Sequence, residues 1–520
     1  MDLSRREFLQ SGLVAALGSL APADLQAASG SLTAAAREVA TFSLLPDQTL
    51  QEWVIESEGR PKFIVELSAD DGDAWTKLED WAADDNRDLL TRAEDIDRAV
   101  VAAPGGDIAT NPWEFGSTLA DRDYVELVDA NIRHEIPQPV DSLEDGDSWP
   151  DLTPVQQLRR FRSMRTLPDD GVAFDDVEPT AMQPALDGLN ARDLDHSASL
   201  TVGVIDTGIN TSSGDDVFGG RVSTDSWNAI DDETGVDAIE DGNGHGSFVA
   251  AEMAGDPPTA EHQGVLPNAQ VIGAKALTDD GSGSTMDIVR SIRYVADQGA
   301  DVICMSLGSP IYSAEMDRAI SYAEGTGSIC FVAAGNDRYG TRWVGSPAST
   351  PRAISVASIT AETDSANVRS SYFSNVGPHP GTTDFSAGET QGAEPDIAAP
   401  GHKVTTTVAR PDGSTAEETL TGTSMACPIA AAVAAPRIAD DEELQGDVEV
   451  TRRTLQDTAE PLPQIAVAEV GGGRVDGQAL AERIPSDGSQ ENIMSDAAAS
   501  RDAAYRAESA TTSWVSTLMP

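Results

Sequence analysis

The chain has 520 residues, more than one ordinary domain holds, so two or three folded units are expected. Its 34 Lys and Arg stand against 87 Asp and Glu, a formal net charge of -53; this excludes nucleic acid and anionic lipid as partners, because both require basic patches. With 40% hydrophobic residues a sizeable core is available, and three cysteines, an odd number, exclude a disulfide scaffold.

The N-terminus reads as an export address. "SRREFLQ" at 4–10 is a basic start, followed by the short apolar run "SGLVAALGSLA" and by cleavable small residues at 21–23 or at Ala27-Ala28. Arg5-Arg6, with Ser4 before and Phe8-Leu9 after, resembles a twin-arginine signal spanning 1–28, which implies a secreted, extracellular protein. No cysteine follows for a lipid anchor, and no run reaches the ~20 apolar residues of a membrane span. Stable membrane insertion is therefore not expected.

Residues 29–59 are polar, and 29–137 read as one region before the main domain. Within it "KFIVELS" (62–68) is a strand, and "DAWTKLEDWAADD" is a helix with Trp75, Leu78 and Trp81 on one side. "RAVVAA" and "YVELVDANIRHEI" are further strands, so 62–137 is a small α+β unit. A Pro/Asp/Ser-rich linker opens 138–194. Thr153-Pro154 then starts a helix over "VQQLRRFRSMR", whose arginines read as a solvated face, with a processing site as the alternative.

From 200 the pattern alternates. "LTVGVI" (200–205), "QVIGAKAL" (270–277), "DVICMSL" (301–307), "SICFVAA" (328–334) and "AISVASI" (353–359) are strands. Helices lie between several of them. One carries Ile288, Val289, Ile292, Val295 and Ala296 on one face and stops at Gly299; another, "AEMDRAISYAEG", is closed by Gly325. This predicts an α/β fold, a parallel sheet covered on both faces, with its site at the carboxyl ends of the strands. From 485 the chain is Ala/Ser/Asp-rich and reads as a low-complexity tail or a short accessory helix.

Four short stretches follow those strands or start helices. Asp206 ends the first strand, His245 sits in "NGHGS" before an apolar helix, Asn336 follows "VAAG", and Ser424 lies in "GTSMACP". Taken singly each has an ordinary explanation: Asp and Gly-Asn in turns, a structural His, a Ser at a helix start. Together Asp206, His245 and Ser424 supply an orienting carboxylate, a base and a nucleophile, the last at a helix start whose backbone N–H groups suit an oxyanion.

The set resembles the subtilisin-like serine proteases, most closely the halolysin type. "IDTGI", "GHGS" and "GTSMACP" are similar to the family's Asp, His and Ser motifs, and "AAGN" to its oxyanion segment. "GSGS" (281–284) and "SLGS" (306–309) are similar to the segments that pair with substrate backbone; "GSPAS", "SSYFSNVG" and "PDIAAPG" match framework stretches. The resemblance covers about 195–484 and implies a three-layer catalytic domain. It implies Asp206, His245 and Ser424 as the triad and Asn336 as the oxyanion donor. Gly281, Ser282, Gly283, Ser306, Leu307 and Gly308 become substrate-binding positions, with Gly345 near the base of the S1 pocket.

It also implies protein or peptide substrates, a 62–137 propeptide acting as intramolecular inhibitor, and no cofactor for the chemistry. Structural calcium is compatible with the family; the 256–263 loop has the right neighbourhood, but no metal ligands are assigned. The dispersed acidity, with only Lys62, Lys77, Lys275 and Lys403 among the basic residues besides Arg, resembles proteins of extreme halophiles. Ser247-Phe248 and Ile429 depart from the usual motifs, and Pro436 predicts an early end or kink in the serine helix. A competing reading is a catalytically silent secreted binding protein on this fold. A lost triad member would mark it, and none is lost.

Overall fold

The computed structural model describes residues 56–57, 60–102, 119–136, 177–194, 200–211, 217–338, 342–379 and 393–518, apart from short gaps at 58–59, 70, 84–86, 121, 193 and 487. The export signal, the helix expected after Thr153-Pro154 and most of the linker lie outside the described residues. Trp53–Ser509 form one compact unit.

The first part is an antiparallel sheet carrying one helix. Its elements are β1 (Glu56–Ser57), β2 (Arg60–Leu67), α1 (Ala74–Ala82), β3 (Asp88–Ala93), β4 (Arg98–Ala102) and β5 (Val125–Ala130). β2 is central, between β4 and β5, and β3 flanks β4. Strand alternation divides its side chains between two cores. Phe63, Val65 and Leu67 pack with Leu78 and Trp81 of α1, whereas Ile64 and Val100 join a core beneath two helices of the larger domain. The run expected as one strand, "YVELVDANIRHEI", is two. After Ala130 the chain leaves its sheet, and β6 (Arg133–Glu135) pairs elsewhere.

The larger domain is built on a mainly parallel sheet. β7 (Thr180–Ala181) and α2 (Met182–Asp187) lead in. The sheet comprises β8 (Thr201–Asp206), β9 (Trp227–Asn228), β10 (Glu233–Thr234), β11 (Gln270–Lys275), β13 (Val302–Met305), β14 (Ile329–Ala333), β15 (Ile354–Ile359) and β16 (Ile397–Pro400). The order is β10-β9-β11-β8-β13-β14-β15-β16, with only the short edge strand β10 antiparallel. Each strand expected from the sequence is present, and all five are neighbours in register, for example Val302 between Val202 and Ile329.

Both faces are covered. Val204, Cys304, Phe331 and Val356 point to one core, with α3 (His245–Ala254) and α6 (Thr423–Ala439). Ile205, Ile303, Met305 and Val332 point to the other, with α4 (Thr285–Asp297) and α5 (Ala314–Thr326). These are the three layers that the alternating pattern implies. β12 (Ser282–Ser284) precedes α4. A hairpin, β17 (Val404–Ala409) and β18 (Thr415–Leu420), was not read from the sequence.

Three expectations need correction. α5 runs through Gly325 to Thr326 and is capped by Gly327, whose φ of 100° lets its N–H reach back to Ala323 and Glu324. α6 does not end at Pro436 but continues to Ala439. Its first proline, Pro428, cannot donate to the Ser424 carbonyl one turn back, and the Ser306 hydroxyl donates to that carbonyl instead, at 2.8 Å. The tail is not a short accessory segment. After α7 (Val448–Thr458), α8 (Val467–Val470), α9 (Gly477–Glu482) and α10 (Gln490–Ile493), it forms α11 (Asp496–Leu518), 23 residues long, with Ala498 and Asp502 buried.

Candidate active site

Asp206 is the last residue of the central strand β8, and His245 the first of α3. Their side chains meet: His245 Nδ1 lies 2.8 Å from Asp206 Oδ1, with the carboxylate 1% exposed. Oδ1 also accepts the Thr207 N–H at 2.7 Å, which fixes the carboxylate. Close approach depends on Gly246, where a Cβ would come within 2.3 Å of the Gly208 carbonyl. His245 Nε2 is buried with no partner among the described residues, so the ring keeps a nitrogen for another group.

Ser424 is the second residue of α6, at the end of the helix where backbone N–H groups are unpaired. Its hydroxyl contacts the Ser306 carbonyl at 3.5 Å, and the Ser306 hydroxyl bonds the Ser424 carbonyl, so the two serines are tied reciprocally. Asn336 follows β14. Its Oδ1 accepts both the Thr423 N–H and the Thr423 hydroxyl at 2.8 Å. With the oxygen so held, Nδ2 faces the helix start; a Cβ on Gly422 would lie 3.0 Å from it.

The segments around 281–284 and 306–309 flank a slot, and the chain itself fills it. β6 pairs antiparallel with β12, Ser282 opposite Glu135 and Gly283 opposite His134. On the other side Glu135 and Gly308 exchange two backbone hydrogen bonds of 3.0 Å, and the Ile136 N–H donates to the Gly281 carbonyl at 3.0 Å. Leu307 is fully buried below. Gly345 sits beside a backbone pair in which Ser309 and Ser346 exchange 2.8 Å bonds. Thus Gly281, Ser282, Gly283 and Gly308 line one extended-chain slot, and Ser306 leads from it to Ser424. His134 is completely buried there, its Nε2 3.0 Å from the Thr285 hydroxyl, and burial pushes its pKa down to about 3.

Several supporting residues escaped the sequence reading. Asp241, fully buried, accepts the N–H groups of Asn243, Gly244 and Ser247 and the Ser247 hydroxyl at 2.7–3.1 Å, shaping the turn that delivers His245. Thr207 Oγ1 accepts the Gly246 N–H at 3.0 Å. An Asp a few residues before "GHGS" was a legible cap signal; the Thr207 contact spans elements and was not. All three cysteines are buried and free, with Cys304 and Cys427 Sγ atoms 3.5 Å apart. Among the described residues, no group of three or more His, Cys, Asp or Glu side chains is placed to hold a metal ion, and no helix is long and apolar enough to cross a membrane.

The profile of the subtilase family matches residues 197–489. A halolysin-like extracellular serine protease, Nep, of Natrialba magadii is 33% identical over 269 residues, 52% of this chain and 44% of that protein. Subtilisin DY of Bacillus licheniformis is 36% identical over 243 residues, covering 46% of this chain and 76% of its own length. The chain thus spans under half of the halolysin-like relative. Among solved structures, fervidolysin from Fervidobacterium pennivorans superposes with a TM-score of 0.59 at 19% identity, over 82% of this chain and 62% of that one, a likeness of fold.

Proposed function

Because the chain belongs to the subtilase family of serine endopeptidases, we propose that it is a secreted enzyme that cleaves peptide bonds through an acyl-enzyme, with Asp206, His245 and Ser424 as its triad. The observation that supports this reading is the buried 2.8 Å His245–Asp206 contact, made from the end of β8 and the start of α3, with His245 Nε2 left without a partner among the described residues.

In this mechanism the Ser424 hydroxyl attacks the substrate carbonyl, and His245 Nε2 takes its proton and later returns it to the leaving amine. Asp206 holds Nδ1–H, fixing the tautomer and stabilising the ring once charged. The Ser424 N–H and Asn336 Nδ2 donate to the oxyanion; loss of such a side-chain donor costs on the order of 10²–10³ in kcat, a figure established in this same family. Substrate would lie as an extended strand between 281–284 and 306–308, with its side chain before the scissile bond directed toward Gly345. No cofactor enters these steps.

Residues 62–137 are read as an inhibitory propeptide, since 133–136 occupy that slot in the antiparallel sense. Export through the twin-arginine signal and self-removal of the propeptide complete the proposal. The -53 charge supports a high-salt habitat. The test is to express wild type and Ser424→Ala in molar salt, apply a fluorophosphonate probe, and read both N-termini. Probe on Ser424 and an internal cut present only in wild type are expected. An unlabelled wild type, or the same cut in both, would overturn the reading.

A further inference from the structure

The family match ends at residue 489, yet the chain continues into α11, whose docked face is polar. Ala498, Asp502 and Ser509 are buried along it, and Tyr505 lies on the same side. Asp502 Oδ1 accepts the Ala468 N–H at 2.9 Å and so holds α11 against the start of α8.

The other contacts converge on the segment that follows Asn336. The Arg338 guanidinium bonds Glu469 of α8, which is 4% exposed, and donates to the Tyr505 hydroxyl at 2.5 Å. That hydroxyl is also 3.1 Å from Glu469 Oε1, and Arg501 reaches Glu469 Oε2 at 3.4 Å. Arg338 and Arg342 both lie 5.7 Å from the Tyr505 ring centre, and Arg342 pairs with Glu508. Arg338 and Arg501 outweigh burial and keep the Glu469 pKa below its usual value. A buried carboxylate held by two guanidinium groups, with a tyrosine between, is a fixed arrangement; removing one member leaves charge uncompensated.

Arg338 and Arg342 lie in the chain between Asn336 and Gly345. The Arg338 N–H bonds Phe373, the Asp337 N–H bonds Asn375 Oδ1, and the Arg342 N–H returns to the Asp337 carbonyl, all within 2.8–3.1 Å. Asn336 is therefore held on one side by Thr423 of the serine helix and on the other by a segment whose side chains end in α11.

We infer that α11 is a positioning element for the oxyanion site, acting through Tyr505 and Glu508 on Arg338 and Arg342; this rests on the serine-protease reading given above. It predicts a larger loss in turnover than in substrate binding, because the slot residues at 281–284 and 306–308 are untouched and only Gly345, at the far end of the segment, faces substrate. A misplaced donor should cost less than a deleted one, so roughly tenfold in kcat is expected, against 10²–10³ for loss of the donor itself.

The test compares wild type, a chain ending at Ser489, a chain ending at Ser509 that keeps the named contacts, Tyr505→Ala and Tyr505→Phe. Each is assayed in molar salt as kcat per fluorophosphonate-titrated site, with KM, peptide-boronate affinity and hydrogen exchange of 335–345. Expected are lower kcat and weaker boronate binding for the Ser489 chain and Tyr505→Ala, KM within about twofold, and faster exchange at 335–345. Tyr505→Phe, which keeps the ring between the arginines, should recover part of the loss, and the Ser509 chain should match wild type. Unchanged kcat, boronate affinity and exchange in the Ser489 chain would overturn the inference, as would equal losses in the Ser509 chain. Wild-type titration depends on the protease reading alone, and exchange reports on α11 even in an inactive chain, so the two failures are distinguishable.

Discussion

The reciprocal tie between Ser306 and Ser424 makes a quantitative prediction. Pro428 has no N–H for the Ser424 carbonyl, and the Ser306 hydroxyl stands in at 2.8 Å in a fully buried place. Ser306→Ala should leave that carbonyl unsatisfied, costing about 1–3 kcal/mol. In a Pro428→Ala chain the helix can supply its own i−4 bond, so the same change should cost only about 0.5–1 kcal/mol. The expected coupling is about 1–2 kcal/mol. Four chains, all carrying Ser424→Ala to prevent self-digestion, would be unfolded with urea in molar salt. With a slope of about 3 kcal/mol/M, 2 kcal/mol shifts the midpoint by about 0.7 M. If Ser306→Ala costs the same with and without Pro428, within the ~0.3–0.5 kcal/mol scatter of independent sites, the backbone substitution argument is wrong.

Other outcomes follow from the same geometry. Asp206→Asn should preserve the fold and lower kcat by on the order of 10⁴, as tautomer loss does in such triads; steady-state rates on a chromogenic peptide check it. Because His134 titrates near 6.5 when free and about 3 when buried in the slot, binding of a separately made 56–136 fragment should be full above pH 6.5 and weaken by at most about tenfold per unit as pH falls toward 3. A His134→Gln fragment with the same pH dependence would refute that cause. Glu252, fully buried in α3 with neither carboxylate oxygen partnered among the described residues, has its pKa raised well above normal by burial. Its stabilising contribution is complete below its ordinary pKa and lost as pH rises through the raised one, so Glu252→Gln should raise the urea midpoint at pH 8 more than at pH 5. Dialysis to dilute buffer should unfold the chain as screening is lost; unchanged circular dichroism at low salt would sink the halophile reading.

The parallel sheet was legible because its strands are continuous apolar runs, such as Val302–Met305, which only a doubly covered sheet accommodates. The four candidate positions lie where their motifs were read, Asp206 at the end of a strand, His245 and Ser424 at helix starts and Asn336 just after β14. What the sequence could not convey was partnership across distance. Asn131 and Asp129 serve the starts of α4 and α5, bonding the N–H groups of Met286 and Glu315, though some 155 or more positions away. Gly325 was a reasonable stop by composition, but Gly327 is where the left-handed turn occurs. Pro436 argued for a break by a local rule that burial of the surrounding helix overrode. The α11 sequence has little apolar periodicity because its docking face is built from Asp502, Tyr505 and Ser509.

The arginine-centred pairs at Glu469, Asp396, Glu460 and Glu315 share a property beyond their geometry. Guanidinium groups do not lose their proton in proteins, whereas lysine ammonium groups do so near pH 10.4. Only four lysines are present in the whole chain. Alkaline titration can therefore remove little of the positive charge that holds these carboxylates in place, and the chain's ion pairing should be nearly constant from neutral brine into strongly alkaline brine. Arginine in place of lysine thus carries these pairs into alkaline conditions without loss of their charge.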